Sequence, residues 1–587
     1  MMGSNWMLHT KRADFSGLAA QLHVDPVVIR ILCNRGIRPE EMEGFLHPTL
    51  QQLHDPHKLK DADKAAGLLE TAIASGSHIR VIGDYDIDGI FSTYILVQGL
   101  RRVGAEVSYD IPHRIEDGYG MNIRLVEQAA KDGVNVIVTC DNGIKALDEV
   151  KRAHQLGMEV IVTDHHELGF TMDEQGEKTF RVPEAAAVIN PHQPGCIYPF
   201  PNICGATVAW KLVMVVLERY GLTDAAMEFL PYVAFATIGD IMPLRDENRS
   251  IVRFGLEALP GVENPGLQSL IGHTGLQDSR ITPYHVGFML GPCFNAAGRL
   301  DTAMLGVELL LEQDAVRAAA LAESLCNLND QRKVMTEEGT KQAIDVIERE
   351  GYHSDNVLVV YVSGLHESLA GIVAGRIKEK YYRPTFVLTD AKDGIKGSGR
   401  SIPGYPMSDK LQEVERLLLK YGGHPMAAGV SLLPENVDLF RRLLNENAGL
   451  REEQLTAELW IDVPMPVSYI SEELIAQLSM LEPFGEGNPR PLFGDKKVAL
   501  QRAGWIGKDK KFVKFTLATD RTVPLEALYF RDGEELVGAL EDSFGRKEVD
   551  RLFHGEPSAV HLCIAYYPQV NEFRGRKTLQ VMIEDYR

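Results

Sequence analysis

Several things are missing from this chain, and each absence excludes a class. Its seven cysteines, at 33, 140, 196, 204, 293, 326 and 563, are scattered and none stands in a CxxC pair, which argues against a zinc ribbon and a disulfide scaffold. No apolar run approaches the ~18 residues of a membrane span. The opening residues lack the charged-then-apolar pattern of a signal peptide. Low-complexity segments and internal repeats are absent. These absences lead us to expect a soluble cytoplasmic protein with no membrane partner. Positive charge is also scarce: 61 Lys and Arg face 82 Asp and Glu, a net charge of −21. A generally basic, nucleic-acid-coating surface is thereby excluded, so any such surface must be local. Bound cations would reverse the sign around an acidic site.

With 587 residues and 45% hydrophobic content, the chain has material for about three or four cores. Residues 1–75 read as a helical lead-in of short helices and turns, including Ala65–Ser75. Strand patterns follow at Ile79–Gly83, Val107–Ile111, Val134–Thr139, Met158–Thr163 and Ala186–Ile189. Helical patterns at Ile90–Leu100, Asn122–Lys131 and Ala146–Gln155 lie between them. Such alternation predicts an α/β domain on a parallel sheet, over 76–300, with ligands beyond the carboxyl ends of its strands. Helices are expected at Gly205–Arg219 and Ala225–Thr237. Residues 301–352 carry no strong breaker and read as a long connecting helix. A second α/β domain begins at Val357–Tyr361 and occupies 353–452. In 453–587 five short strands are expected: Val498–Ala503, Phe512–Thr519, Val523–Phe530, Val560–Tyr567 and Leu579–Ile583. That spacing fits a small β-barrel of the OB type.

Four clusters stand at the ends of apolar runs: Asp84-Tyr85-Asp86-Ile87-Asp88-Gly89, Asp141-Asn142-Gly143, Asp164-His165-His166 and Gly239-Asp240. Carboxylates and imidazoles gathered in this way hold paired divalent metals for phosphoester hydrolysis. Asp84, Asp86 and Asp88 share one parity, and we expect the chain to turn at Gly89. Asp141 is the candidate bridge between two ions. The bland alternative for each carboxylate is a helix cap or a solvated turn.

The chain resembles the DHH phosphoesterase superfamily, and within it most closely the RecJ family of single-strand-specific 5′→3′ DNA exonucleases. The resemblance spans roughly residues 45 to 585. It is carried by VIGDYDIDG (81–89), IPHRIEDGYG (111–120), VTCDNGI (138–144), VTDHHE (162–167), ATIGDIMPL (236–244), FNAAGRLDTA (294–303), GSGRSIPG (397–404), GGHPMAAG (422–429) and LEPFGEGNPRPLF (481–493). It implies a DHH catalytic domain, a DHHA1 domain that closes over the metal site, and an OB-fold domain that binds nucleic acid. It also implies that Asp84 and Asp141 hold one ion, and that Asp86, Asp141, His165 and Asp240 hold the other. Mn²⁺ is the expected ion and Mg²⁺ the alternative. His166 is placed on the scissile phosphate, with Asp88 and Asp164 behind the ligands. Two positions depart from the family pattern. Ile87 replaces a customary alanine and would crowd the site slightly. Cys293 replaces a customary arginine and would remove a basic contact.

For the substrate, the glycine-rich segments let backbone N–H groups approach phosphate oxygens. Arg400, beside Ser398, suits a terminal phosphate. Gly423 and His424 lie in the second such segment, whose alternative reading is a tight helix–helix contact. Residues 356–430 hold ten Lys/Arg against seven Asp/Glu, a mildly basic stretch. Arg114 and Tyr119 suit a phosphate and a base, and the resemblance adds Arg299. In the barrel, Lys508 and Lys511 sit among Trp505, Phe512 and Phe515, a mixture suited to single strands. The expected activity is metal-dependent hydrolysis of single-stranded DNA from the 5′ end to mononucleotides, in repair and recombination. A monomer is expected, with a single-strand-binding protein or a helicase as partner. The alternatives are a phosphodiesterase for short RNA, dinucleotides or cyclic dinucleotides, and a non-catalytic binding component of a replication complex.

Overall fold

A computed structural model describes residues 4–172, 178–392, 394–519, 524–573 and 575–587. The chain divides into two compact units. One comprises residues 48–450 with 485–488, and the other the remaining residues.

In the larger unit, five strands alternate with helices: β1 (His78–Ile82), α1 (Ile87–Arg102), β2 (Glu106–Asp110), α2 (Ile123–Lys131), β3 (Val136–Cys140), α3 (Leu147–Gln155), β4 (Glu159–Thr163) and β5 (Ala187–Ile189). The sheet order is β2-β1-β3-β4-β5 and every pairing is parallel. Both faces are covered, so β3 is buried at all five positions. That is why these strands read as continuous Val/Ile runs rather than alternating ones. The chain order reverses between β1 and β3. The crevice at such a point is where ligands bind, and Asp84 and Asp141 flank it.

The turn expected at Gly89 comes earlier, at 83–86. The Asp86 carboxylate accepts from the N–H of Asp88 (3.0 Å) and Gly89 (3.1 Å) and starts α1 there. Gly89 instead lies inside the first turn of α1, where a Cβ would stand 2.4 Å from the Asp84 carbonyl. Beyond the sheet, α4 (Gly205–Arg219) and α5 (Leu230–Gly239) pack into the main core around Phe91, Trp210 and Phe235. Farther on, α6 (Gly291–Leu300) precedes α7 (Ala315–Glu350), a helix of 36 residues. At 1.5 Å per residue α7 is about 54 Å long. It serves two cores: Ala322 and Leu325 lie in the first, Ala343 and Ile347 in the next.

The following domain holds β6 (Leu358–Tyr361), α8 (Ala370–Tyr381), β7 (Thr385–Ala391), β8 (Gly394–Arg400), β9 (Leu418–His424) and β10 (Ala427–Leu432), with sheet order β9-β10-β8-β7-β6. Only β6 and β7 pair in parallel. The segment GGHPMAAG is therefore a β-hairpin, not a helix contact, and GSGR forms the end of a strand.

In the smaller unit, β11 (Val463–Pro464), β12 (Phe493–Ile506), β13 (Phe512–Leu517), β14 (Leu525–Tyr529), β15 (His561–Phe573) and β16 (Arg576–Tyr586) form one sheet, which β12 and β15 close into a barrel. It has one strand more than expected, because the two-residue β11 was too short to read. Val523, the expected start of the third strand, lies outside the described residues. Two helices, Gly533–Phe544 and Arg546–His554, separate β14 from β15. The stretch 1–75 divides at His47. Residues 5–8 are not helical but form a strand paired in parallel with Glu458–Ile461. The helices after it bury Val28, Ile29 and Leu32 in the barrel's core with Phe515 and Tyr566. No single described helix is long and apolar enough to cross a membrane.

Candidate metal centre and strand-binding surfaces

The carboxyl ends of β1, β3 and β4 are level in register, with Ile82 opposite Thr139 and Cys140 opposite Thr163. The residues that follow them therefore converge. Asp84, Asp88, Asp141 and Asp164 are all buried, and Asp240 arrives from the end of α5. Three overlapping sets have one ligand atom each within 4.8 Å of one another: Asp84 with Asp86 and Asp141, Asp88 with His165 and Asp240, and Asp141 with His165 and His166. Asp141 and His165 each occur in two of them. The groupings differ from the expected ones at three residues: Asp86 stands with Asp84 rather than with His165 and Asp240, Asp88 stands with His165 and Asp240 rather than behind the ligands, and His166 stands with Asp141 and His165. His165 Nε2 lies 3.2 Å from Asp141 Oδ1 and 3.7 Å from Asp240 Oδ2.

The donors fit divalent cations. Asp84 Oδ2, Asp141 Oδ1 and Asp240 Oδ2 are buried without a hydrogen-bond partner. Burial, followed by the neighbouring carboxylates, holds the carboxyls of Asp84, Asp141 and Asp240 well above the usual range. Partnerless buried charges of one sign are costly unless a cation compensates them. Carboxylate oxygens mixed with imidazole nitrogen suit Mn²⁺, and Mg²⁺ also takes such oxygens.

Two carboxylates have a different task. Asp88 accepts from the N–H of Gly205 (2.6 Å) and Ala206 (2.8 Å), capping α4. Asp164 Oδ1 accepts from the N–H of His165 (2.7 Å) and His166 (3.1 Å) and from His166 Nδ1 (2.8 Å), while its Oδ2 accepts from Ile144 N–H (2.9 Å). Burial works against ionising Asp164, but His166 outweighs it and holds the carboxyl below the usual range. Burial likewise opposes protonation of His166, yet the Asp164 hydrogen bond raises it above the ordinary imidazole value. Tyr119 donates to the Asp141 carbonyl (2.8 Å) and its hydroxyl lies 3.0 Å from His166 Nδ1.

A cationic track leaves the Asp84 side of the centre. The Tyr119 ring meets Tyr85 edge-on at 6.4 Å, and the Arg114 guanidinium lies 4.5 Å over Tyr85. Arg299, at the end of α6, donates to the Ser368 carbonyl (2.7 Å). Arg400 donates to Ser398 Oγ (3.1 Å) and the Gly399 carbonyl (2.8 Å), facing the first turn of α8, where a Cβ on Gly371 would stand 2.8 Å from Arg400 Nη2. Burial, then Arg114, Arg332 and Arg400, push Arg299 down to about 9. A guanidinium does not give up its proton, so this cost acts as attraction for an anion. His424, at the end of β9, lines a 220 Å³ cavity with Lys145, His165, His166 and His192. Gly423 has φ +147°, and a Cβ there would stand 2.4 Å from the Ala427 carbonyl.

Both departures are packed into the core beside the centre. Ile87 is buried against Gly239 and Gly291, where added Cβ atoms would stand 2.5 and 3.0 Å from it. Cys293 is buried facing α7, receiving Asn329 Nδ2 at 3.6 Å, so its position is a core position. In the barrel, Lys508 and Lys511 are exposed in the turn between β12 and β13. Sequence reading missed the aromatic pair beside them: Phe512 and Phe530 meet edge-to-face, ring centres 5.3 Å apart at 73°. Only cross-strand register reveals it. Lys514 is tied to Glu526 at 2.8 Å. Also missed was Asn295, whose Oδ1 accepts from Ile87 N–H (3.1 Å) and ties α6 to the turn that carries the ligands. Its signal was its place in the FNAAGR motif.

A parallel α/β sheet with buried aspartates and histidines at its switch point, followed by a mixed-sheet domain and a barrel, defines a metal-dependent phosphoesterase of the DHH class. Family models agree: the DHH family N-terminal domain matches residues 78–237, the DHHA1 domain 354–449 and the RecJ OB domain 461–585. The chain belongs to the RecJ family. It is 35% identical over 593 residues to the single-stranded-DNA-specific exonuclease RecJ of Bacillus subtilis, covering 100% of this chain and 71% of that protein. The crystal structure of Thermus thermophilus RecJ with Mn²⁺ matches at a TM-score of 0.81 and 29% identity, over 99% of this chain and 79% of that one. The same protein's structure with Mg²⁺ matches at 0.75 and 28%, over 99% and 78%.

Proposed function

We infer that this chain is a metal-dependent exonuclease that hydrolyses single-stranded DNA from the 5′ end to mononucleotides. The observation that carries the reading is the pairing of two features in one unit: buried carboxylates at the switch point that each keep an oxygen without a hydrogen bond, and a cationic track beginning beside them. Bound divalent ions would activate the attacking water and offset the charge developing on phosphate and leaving oxygen. Asp84, Asp86, Asp141, His165 and Asp240 would hold them. His166, oriented by the Asp164 carboxylate, faces the scissile phosphate and stabilises its charge. Arg299, Arg400 and Ser398 grip the 5′-terminal phosphate, whose extra charge over an internal diester favours an end over the middle of a strand. Lys508 and Lys511, with Phe512 and Phe530, hold single strand on the barrel. The reading has the enzyme act as a monomer, on strands that a helicase or a single-strand-binding protein exposes.

The test is degradation of 5′-labelled single-stranded DNA with and without Mn²⁺. Release of labelled mononucleotide only with the ion supports the reading. Hydrolysis of dinucleotides alone, or of nothing, would replace it with one of the two alternatives.

A further inference from the structure

The two sides of the metal centre differ. On the Asp84 side lies the cationic track, and on the Asp240 side an exposed apolar patch. Ile241, directly after Asp240, is 69% exposed and held at φ +56°, a strained conformation for a β-branched residue. Tyr284 and Phe288 are 61% and 70% exposed and stacked, with ring centres 5.0 Å apart at 27°. Phe288 belongs to a π-helical turn, Val286–Leu290, a rare geometry that tends to mark functional sites. That turn packs on α5: a Cβ on Gly287 would stand 3.9 Å from Ile238, one turn before Ile241.

Helix α6 joins the two sides. At its start Gly291 packs against Ile87, which also packs against Gly239 beside Asp240. Near its end Gly298 packs against the Tyr85 carbonyl, and Arg299 follows. From Phe288 to Arg299 is about 16 Å along the helix axis. For a strand whose 5′ phosphate sits at Arg299 and Arg400 and whose scissile phosphate sits at the metals, the Asp240 side, with its patch, lies opposite the track and offers a way out for the 3′ continuation.

We propose that Tyr284, Phe288 and Ile241 form a base-stacking platform for nucleotides on the 3′ side of the bond to be cut. The proposal rests on the exonuclease reading above. Exposed rings take any base, so the platform is tolerant of sequence. Bases in a duplex are already stacked on each other and gain nothing from it. The platform thus favours single strands at a point next to the chemistry.

The test uses the full chain with Mn²⁺ and a 5′-phosphorylated oligonucleotide protected by phosphorothioates at its first linkages. It carries 2-aminopurine either near the 5′ end or far from it. Wild type is expected to quench the near probe and not the far one. In the Tyr284→Ala/Phe288→Ala double variant the quenching is lost, and KM on unmodified single strands rises about tenfold or more with kcat nearly unchanged. Activity on duplex ends should not move, so the preference for single strands falls. Phe288→Trp should keep the quenching and the low KM, whereas Phe288→Leu should not, which separates stacking from mere apolar cover. Both aromatic side chains are exposed, so their loss leaves the core intact. Unchanged quenching and KM in a double variant that still degrades single strands overturns the platform and leaves the exonuclease reading standing. A wild-type chain that degrades no single strand removes both.

Discussion

At the scale of single residues, Asp141 has the most demands upon it. It sits at φ +61°, its Oδ1 has no hydrogen-bond partner, and it belongs to two of the three ligand sets. Asp141→Ala should abolish hydrolysis while single strands still bind. Loss of both ions' common ligand should cost about a thousandfold or more in rate, or at least ~4 kcal/mol of barrier. A variant retaining a tenth of the wild-type rate would remove the two-metal reading. His166→Ala should behave differently, because the Nδ1 of His166 is already committed to Asp164. Metal content, measured by atomic emission, should remain nearly intact, while turnover falls by about 10²–10⁴. Metal loss in that variant would mean that His166 is itself a ligand. Arg400→Ala should narrow the preference for 5′-phosphate over 5′-hydroxyl ends, by about tenfold for one charge-assisted hydrogen bond removed, without changing metal affinity. An unchanged ratio of kcat/KM for the two ends would move the terminal-phosphate site elsewhere.

At the scale of elements, the start of α4 depends on Asp88. Both its oxygens accept backbone N–H groups there, and the helix behind them is buried around Trp210. Asp88→Ala should therefore lower folding stability by about 1–2 kcal/mol, as the loss of a cap does. Urea unfolding without metal reads this separately from activity, and Asp88→Asn should recover part of it. Equal stability of the Ala and native proteins would assign Asp88 to the ions instead. The elements were legible in the sequence to unequal degrees. The parallel strands announced themselves because burial on both faces demands continuous Val/Ile runs. The hairpin β9–β10 did not. Small residues in GGHPMAAG satisfy a helix contact and a tight strand pair alike, and only the pairing across β8 decided between them.

At the scale of the whole molecule, two surfaces are proposed to serve one strand, and salt distinguishes them. Lys508, Lys510 and Lys511 stand exposed in the barrel's turn, whereas Lys514 is tied to Glu526. Replacing the first three by Gln should weaken binding of long single strands. It should also reduce the slope of log affinity against log salt by about 0.7 for each phosphate no longer neutralised. Lys514→Gln should add little. Very short oligonucleotides should be cut as before, since they need not reach the barrel. Equal losses on short and long substrates would make the barrel a support rather than a binding surface.

The sequence by itself determined the elements of the parallel sheet, the order of the domains and the identity of the acidic and histidine clusters. These follow from local periodicity and from residue types placed at strand ends. It did not determine which carboxylate keeps a free oxygen and which spends its oxygens on backbone N–H groups. Asp84 and Asp88 look alike in DYDIDG, yet one keeps an oxygen, Oδ2, without a hydrogen-bond partner and the other spends both oxygens capping a helix more than a hundred residues away. Nor did it determine that residues 5–8 complete a sheet with 458–461, or that Phe512 meets Phe530. Hydrogen-bond partners and cross-strand neighbours are set by which distant segments share a space. That is a property of the packed chain, and no local pattern records it.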